Sequence, residues 1–168
     1  MEIYRADKTK VEAASIVFDL YRQFYGQPTN LNASTEFLSE RFEKMDSRFF
    51  IALSSDGEPL GFIQLYPSFS SVAMKKVWYL NDLFVVQSAR GKGVASAMVD
   101  HVKTYAKEND SFSLKLATAV DNVPAKALYW RHETSNSLSV HLNFSSTSRV
   151  FIKCSITTGL WPDTYSDI

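Results

Sequence analysis

Between Val77 and Met98 the chain reads VWYLNDLFVVQSARGKGVASAM. The segment Val77 to Val86 is apolar enough for a central strand, and Val94, Met98, Val102 and Tyr105 recur at the spacing of a helix that runs to about Glu108. Between them lies Arg90-Gly91-Lys92-Gly93-Val94-Ala95-Ser96. A strand that ends just before a helix begins leaves unpaired N–H groups at the helix N-terminus, and these donors with the helix dipole suit an anion such as phosphate. Gly91 and Gly93 let the backbone curl round that anion, small Ala95 and Ser96 let it lie close, and Arg90 and Lys92 add positive charge. Two nucleotide-site readings and a plain helix cap compete for this turn. A P-loop is disfavoured by Gly93-Val94, and a dinucleotide fold by Ser96 standing where a third glycine belongs.

Working outward, Ile3 and Tyr4 begin a strand. Val11, Ala14, Phe18, Tyr21 and Tyr25 then mark one face of a helix, with Asp7 or Thr9 as its cap and Gly26 and Pro28 ending it. A second helix is expected from Thr35 to Glu43, capped by Ser34. Phe49–Leu53 and Leu60–Tyr66 read as antiparallel strands around an Asp56-Gly57 hairpin. Downstream of the quoted stretch, Leu114 to Val120 is a strand and Pro124 opens a short helix. Leu138, Val140, Leu142 and Phe144 alternate, as do Val150, Ile152, Cys154 and Ile156, which predicts two strands joined by Ser145 to Ser148.

Composition narrows the function classes. The 168 residues carry 18 basic and 18 acidic side chains, so no basic surface points to nucleic acid or membrane as a partner. No apolar run reaches the roughly 18–20 residues that span a bilayer. The polar N-terminus and the lone Cys154 predict a cytoplasmic protein in a reducing compartment. His101, His132 and His141 share no metal-ligand spacing, so no metal is expected.

Arg90-x-x-Gly93-x-Ala95 resembles the acetyl-CoA pyrophosphate motif of the GNAT N-acetyltransferase superfamily. Tyr79-Leu-Asn-Asp-Leu-Phe-Val85 resembles its central strand, particularly in the polyamine and diamine acetyltransferase branch. Asn122-Val-Pro-Ala125-Lys-Ala-Leu128-Tyr129 is similar to its second signature. The order of elements also agrees, and the resemblance covers residues 1 to about 129. It implies an α/β fold (α+β in detail): a mixed, mostly antiparallel central sheet flanked by helices and splayed between strands 4 and 5. Residues 1–168 would form one such domain, divergent from 130 on.

The implied activity is transfer of an acetyl group from acetyl-CoA, as co-substrate, to a primary amine by direct attack in a ternary complex. By position, Leu83, Phe84 and Val85 would offer backbone groups to the pantetheine arm. Arg90, Gly91, Lys92, Gly93, Val94, Ala95 and Ser96 would hold the pyrophosphate, and Asn122 would bond the cofactor. Tyr129 would protonate the departing thiolate, a task suited to a phenol that stays neutral near pH 7. Asp82 is the candidate base; neighbouring Asn81 stands where that branch often has Glu. A homodimer is also expected by analogy.

The tail departs from the pattern. The usual glycine after the Leu128-Tyr129 helix is missing, and none occurs until Gly159; Asn136 is the candidate left-handed residue in its place. A small-molecule amine is the expected acceptor, with Pro67–Ser71 read as a loop at its entrance beside the first two helices. Glu36, Glu40, Glu43 and Asp46 interleave with Arg41, Lys44 and Arg48, the pattern of a solvated helix face. The alternative function is a non-catalytic acyl-CoA-binding or regulatory module with a degenerate amine site.

Overall fold

The computed structural model describes residues 1–119, 121–133, 139–142 and 152–155. Seven strands form one sheet in the order β1-β2-β3-β4-β5-β7-β6. They are β1 (Glu2–Arg5), β2 (Arg48–Leu53), β3 (Pro59–Ser70), β4 (Lys75–Val85), β5 (Ser113–Leu116), β6 (Ser139–Leu142) and β7 (Ile152–Ser155). The helices are α1 (Val11–Phe24), α2 (Leu31–Lys44), α3 (Val94–Glu108) and α4 (Val123–Glu133). Among the described residues, only β4 and β5 run parallel; every other pair is antiparallel. This is the mixed, mostly antiparallel α/β arrangement that the sequence implies. No helix among the described residues is long and apolar enough to cross a membrane.

Each face of the sheet carries its own core. Phe50, Ile63, Leu65 and Leu80 meet Met98 and Val102 of α3 and Tyr129 of α4 on one side. Phe49, Ile51, Phe62 and Phe84 meet Val17 and Phe18 of α1 and Leu38 of α2 on the other. Strand residues alternate between the faces, so a single run such as Phe49-Phe50-Ile51-Ala52 feeds both cores. Each fully buried large side chain contributes about 1.5–3 kcal/mol.

α2 begins earlier than its periodicity suggests. Asn30 is the cap, accepting from the Ala33 N–H at 3.0 Å. Ser34 lies inside the helix, buried, and its hydroxyl donates to Asp19 of α1 at 3.2 Å. Asp19 is the bolt between the two helices. Its carboxylate also accepts from Thr29 Oγ1 at 2.7 Å, Gln23 Nε2 at 2.8 Å, the Asn30 N–H at 2.9 Å and Arg22 at 3.1 Å. At the start of α1, Asp7 caps a 3-10 turn, Lys8–Lys10, by accepting from Thr9.

Two strand boundaries also differ from the sequence reading. Pro67–Ser70 is not a loop but the end of β3, where Pro67 pairs with Trp78 and Ser70 with Lys75. β2 pairs with β3 no further than Leu65, so Pro67 lies past the end of that partner and breaks no ladder. β5 stops at Leu116, and residues 117–119 leave the strand instead of extending it. The two tail strands are present as Ser139–Leu142 and Ile152–Ser155, with Val140 opposite Cys154. The Ser145–Ser148 connection, Asn136 and Gly159 lie outside the described residues.

Burial pushes the Asp19 carboxyl upward, but the hydrogen bonds from Asn30, Thr29, Gln23 and Ser34 outweigh it and hold it at about 2, below the ordinary 3.8. A depressed value means the fold prefers the carboxylate, so this stabilisation is complete above about pH 4 and is lost as pH falls through 2. Asp19→Ala is expected to lower stability by about 3 kcal/mol in urea unfolding, because it removes the shared acceptor of the buried Ser34 hydroxyl and of four part-buried donors. The loss should shrink as the wild type is titrated from pH 4 toward 2.

Candidate active site

β4 changes partners along its length. From Val77 to Leu80 it pairs with β5, ending at Leu80 opposite Leu116. On its other edge Gln64 pairs with Asp82 but Leu65 with Leu80, which leaves Asn81 as the extra residue of a β-bulge. Past the bulge β4 keeps β3 and has lost β5. A cleft of about 520 Å³ opens there, walled by Leu80–Val85 on one side and by Ala117 and Thr118 on the other.

The Arg90–Ser96 turn closes one end of this cleft. Gly91 and Gly93 have φ of +73° and +81°, the left-handed region that residues with a side chain rarely occupy. A Cβ at either position would meet no protein atom, so the space above the turn is open. The first helical bond of α3 runs from the Ala97 N–H to the Gly93 carbonyl at 3.0 Å. The N–H groups of Val94, Ala95 and Ser96 precede it and have no partner of that kind.

Arg90 is used differently from the expectation. Its Nε donates to the Val85 carbonyl at 3.0 Å, and its guanidinium lies over the rings of Phe24 (5.2 Å) and Phe84 (5.8 Å). It fastens the end of β4 to α1. Lys92 is exposed and does not line the cleft.

Every other candidate residue does: Asp82, Leu83, Phe84, Val85, Arg90, Gly91, Gly93, Val94, Ala95, Ser96, Asn122 and Tyr129 all face it. Asn122 caps α4, its Oδ1 accepting from the Ala125 N–H at 3.2 Å, so its amide donors are what it can offer a ligand. Tyr129 is 7% exposed, packed in the α3–α4 core with the cleft beside it.

Asp82, at the bulge, is held by two donors. The Tyr21 hydroxyl reaches Oδ1 at 2.5 Å and the Asn81 amide reaches Oδ2 at 2.9 Å. Tyr21 sits among Tyr25, Phe62 and Phe84. Burial, and then its bond to the Asp82 carboxylate, push the Tyr21 phenol well above the ordinary tyrosine range, so it stays a donor. Tyr21, Phe24 and Tyr25 all line the cleft. The sequence marks Tyr21 and Tyr25 as part of the α1 stripe, but nothing in that spacing separates a cleft wall from a core face.

The acidic run on α2 does not line the cleft. Glu40 pairs with Lys44 at 2.5 Å and Arg41 at 2.8 Å, Arg41 with Asp46 at 2.9 Å, and Glu43 with Lys8 at 3.6 Å. It is a solvated face whose charges satisfy one another.

Comparison with known proteins agrees with this geometry. Residues 14–132 match the model of the acetyltransferase (GNAT) family. The uncharacterized N-acetyltransferase YhfO of Bacillus subtilis (strain 168) is 42% identical over 129 residues, covering 77% of this chain and 86% of that protein. A probable acetyltransferase of Haemophilus influenzae is 31% identical over 105 residues, 62% of this chain and 72% of that one. The crystal structure of a probable acetyltransferase superposes with a TM-score of 0.76 at 30% identity, covering 97% of this chain and all of the other. The fold is shared with a solved acetyltransferase, and the chain belongs to the GNAT family of acetyltransferases.

Proposed function

We propose that this acetyltransferase takes acetyl-CoA as co-substrate and a small-molecule primary amine as acceptor, both bound together, with residues 1–168 working as one domain. The observation that carries this reading is the open turn at Gly91–Ser96 set against the unpartnered edge of β4. That pairing fits an extended amide arm followed by a pyrophosphate: strand groups bond the arm, and helix N–H groups meet the anion. When bound, acetyl-CoA supplies an activated thioester.

The backbone of Leu83 and Phe84 would bond the arm. The Val85 carbonyl already accepts from Arg90, so it has less to give. Gly91, Gly93, Val94, Ala95 and Ser96 would cradle the pyrophosphate, and the amide of Asn122 would donate alongside. Tyr129 Oη would hold the proton that the departing sulfur needs. Asp82 would take the proton of the attacking amine at whichever lone pairs Tyr21 and Asn81 leave open; a carboxylate has about four, and two donors occupy part of them. A carboxylate bordered by the rings of Tyr21 and Tyr25 suits an alkylammonium, which supports a cationic amine such as the polyamine branch acetylates.

Thiol release from acetyl-CoA over a panel of amines, with calorimetry for the co-substrate, tests the reading directly. Tyr129→Phe is expected to lower kcat by about 100-fold or more with acetyl-CoA affinity nearly unchanged; full activity would remove Tyr129 from the acid role. Asp82→Asn should reduce kcat/KM for the amine by a similar factor of about 100, again without weakening acetyl-CoA. Gly93→Val strains the backbone by about 1–2 kcal/mol and puts a side chain into the open space above the turn. It is expected to abolish binding in calorimetry while the circular dichroism spectrum stays native, and unchanged binding would overturn the placement of the pyrophosphate.

A further inference from the structure

A hydrogen-bonded series joins the glycine turn to α4 that the acetyl transfer described above does not use. Ser96 Oγ lies 2.8 Å from His132 Nε2, and His132 Nδ1 lies 3.0 Å from Asp100 Oδ1. Ser96 lines the cleft, His132 is 6% exposed, and the Asp100 side chain is largely in solvent. The Lys103 ammonium donates to the His132 carbonyl at 3.1 Å, and Arg131, next in the chain, lines the cleft. The Asp100 carboxylate against the imidazole favours its cationic form, and the positive charges of Lys103 and Arg131 nearby oppose it.

The direction of these bonds follows from the chemistry of the ends. A carboxylate only accepts, so His132 Nδ1 carries a hydrogen and gives it to Asp100. In the neutral imidazole Nε2 is then an acceptor, and the Ser96 hydroxyl spends its one hydrogen on it. Ser96 in that state turns only lone pairs toward the cleft, where they repel an anion. For Ser96 to donate to a phosphate oxygen and keep its bond to His132, Nε2 must become a donor, which with Nδ1–H held by Asp100 requires the imidazolium.

We infer that His132, oriented by Asp100, positions Ser96 as a donor to the co-substrate's pyrophosphate and takes up a proton from solvent at Nε2 as that anion binds. The inference rests on the pyrophosphate lying at the N-terminus of α3, as proposed above. The bound series runs from Asp100 through an imidazolium to Ser96 and then to a phosphate oxygen, with every hydrogen pointing at an acceptor. The proton enters as the negative charge does, and the phosphate adds a second anion to the Asp100 carboxylate that already faces the ring.

Calorimetry of coenzyme A binding in two buffers of different ionisation enthalpy, at one mildly alkaline pH, reads the proton uptake without any turnover. The wild type is expected to take up as much as about one proton per coenzyme more than Ser96→Ala, and its affinity to fall by up to about tenfold per pH unit where His132 is neutral in the free protein. His132→Gln should lose that excess and bind with a flatter pH dependence. Asp100→Asn, at a solvated position that does not endanger folding, should show reduced uptake because the imidazolium loses its counter-charge. Protons exchanged by the coenzyme's own phosphates are common to all four proteins and cancel in the comparison. Equal uptake by wild type, Ser96→Ala and Asp100→Asn, with coenzyme A still bound, would overturn the relay and leave the acetyl-CoA reading standing. Failure of the wild type to bind coenzyme A at all would overturn both.

Discussion

The extra residue at Asn81 governs what β4 can do on either edge. From Val77 to Leu80 the strand is paired on both sides, to β3 and to β5; from Asp82 on, among the described residues, it pairs with β3 alone. A bulge adds twist and bend to the strand that carries it. Here it falls at the point where the parallel ladder ends. The result is a strand edge with unpaired backbone groups inside the protein rather than at its rim. Such an edge is normally a liability that proteins cover. Past Asn81 it forms one wall of a cleft, and Arg90 closes off the last carbonyl, that of Val85, by donating to it.

Because the sheet has a separate core on each face, Tyr21 and Tyr129 reach the cleft from different cores and are held independently. Tyr21 comes from α1, braced by Phe62 and Phe84, and α1 is in turn locked to α2 through Asp19. Tyr129 comes from α4 and belongs to the α3 core. The two rings are also held in different ways. Tyr21 is bonded to a carboxylate and kept protonated by burial, which makes it a positioning donor. Tyr129 lies on the wall formed by α4, across from the strand that carries Asp82. The proposed acid and the proposed base are thus braced by separate cores.

How much of this the sequence reveals depends on how local each cause is. The α3 boundaries, Val94–Glu108, follow from apolar spacing and from the glycines just before it, both of which act within a few residues. The start of α2 is different. Asn30 and Ser34 are both good caps, and the choice is made by Asp19, which draws the Asn30 N–H and the Ser34 hydroxyl from another helix. Pro67 reads as a strand terminator unless one knows that β2 pairs with β3 only as far as Leu65. The α1 tyrosines fit the helical stripe equally well whether they face a core or a cleft. Ser96, His132 and Asp100 are 36 and 4 positions apart in two pairs, and only the packing of α4 against α3 brings His132 to Ser96.

The glycine turn carries less formal charge toward the cleft than its sequence suggests. Arg90 stands against aromatic rings and a carbonyl, and Lys92 is exposed away from the lining. Besides Arg131 of α4, which also lines the cleft, the turn offers an anion its backbone: the first N–H groups of α3 and the partial positive charge of its dipole, a favourable contribution of about 0.3–1 kcal/mol at an exposed end. Directed dipoles of that kind hold a phosphate in one place without attracting every anion nearby, as a pair of lysines would. They also leave a doubly charged pyrophosphate undercompensated. The inferred proton uptake at His132 would supply positive charge as the phosphate arrives, at a residue buried beside the turn rather than on its surface.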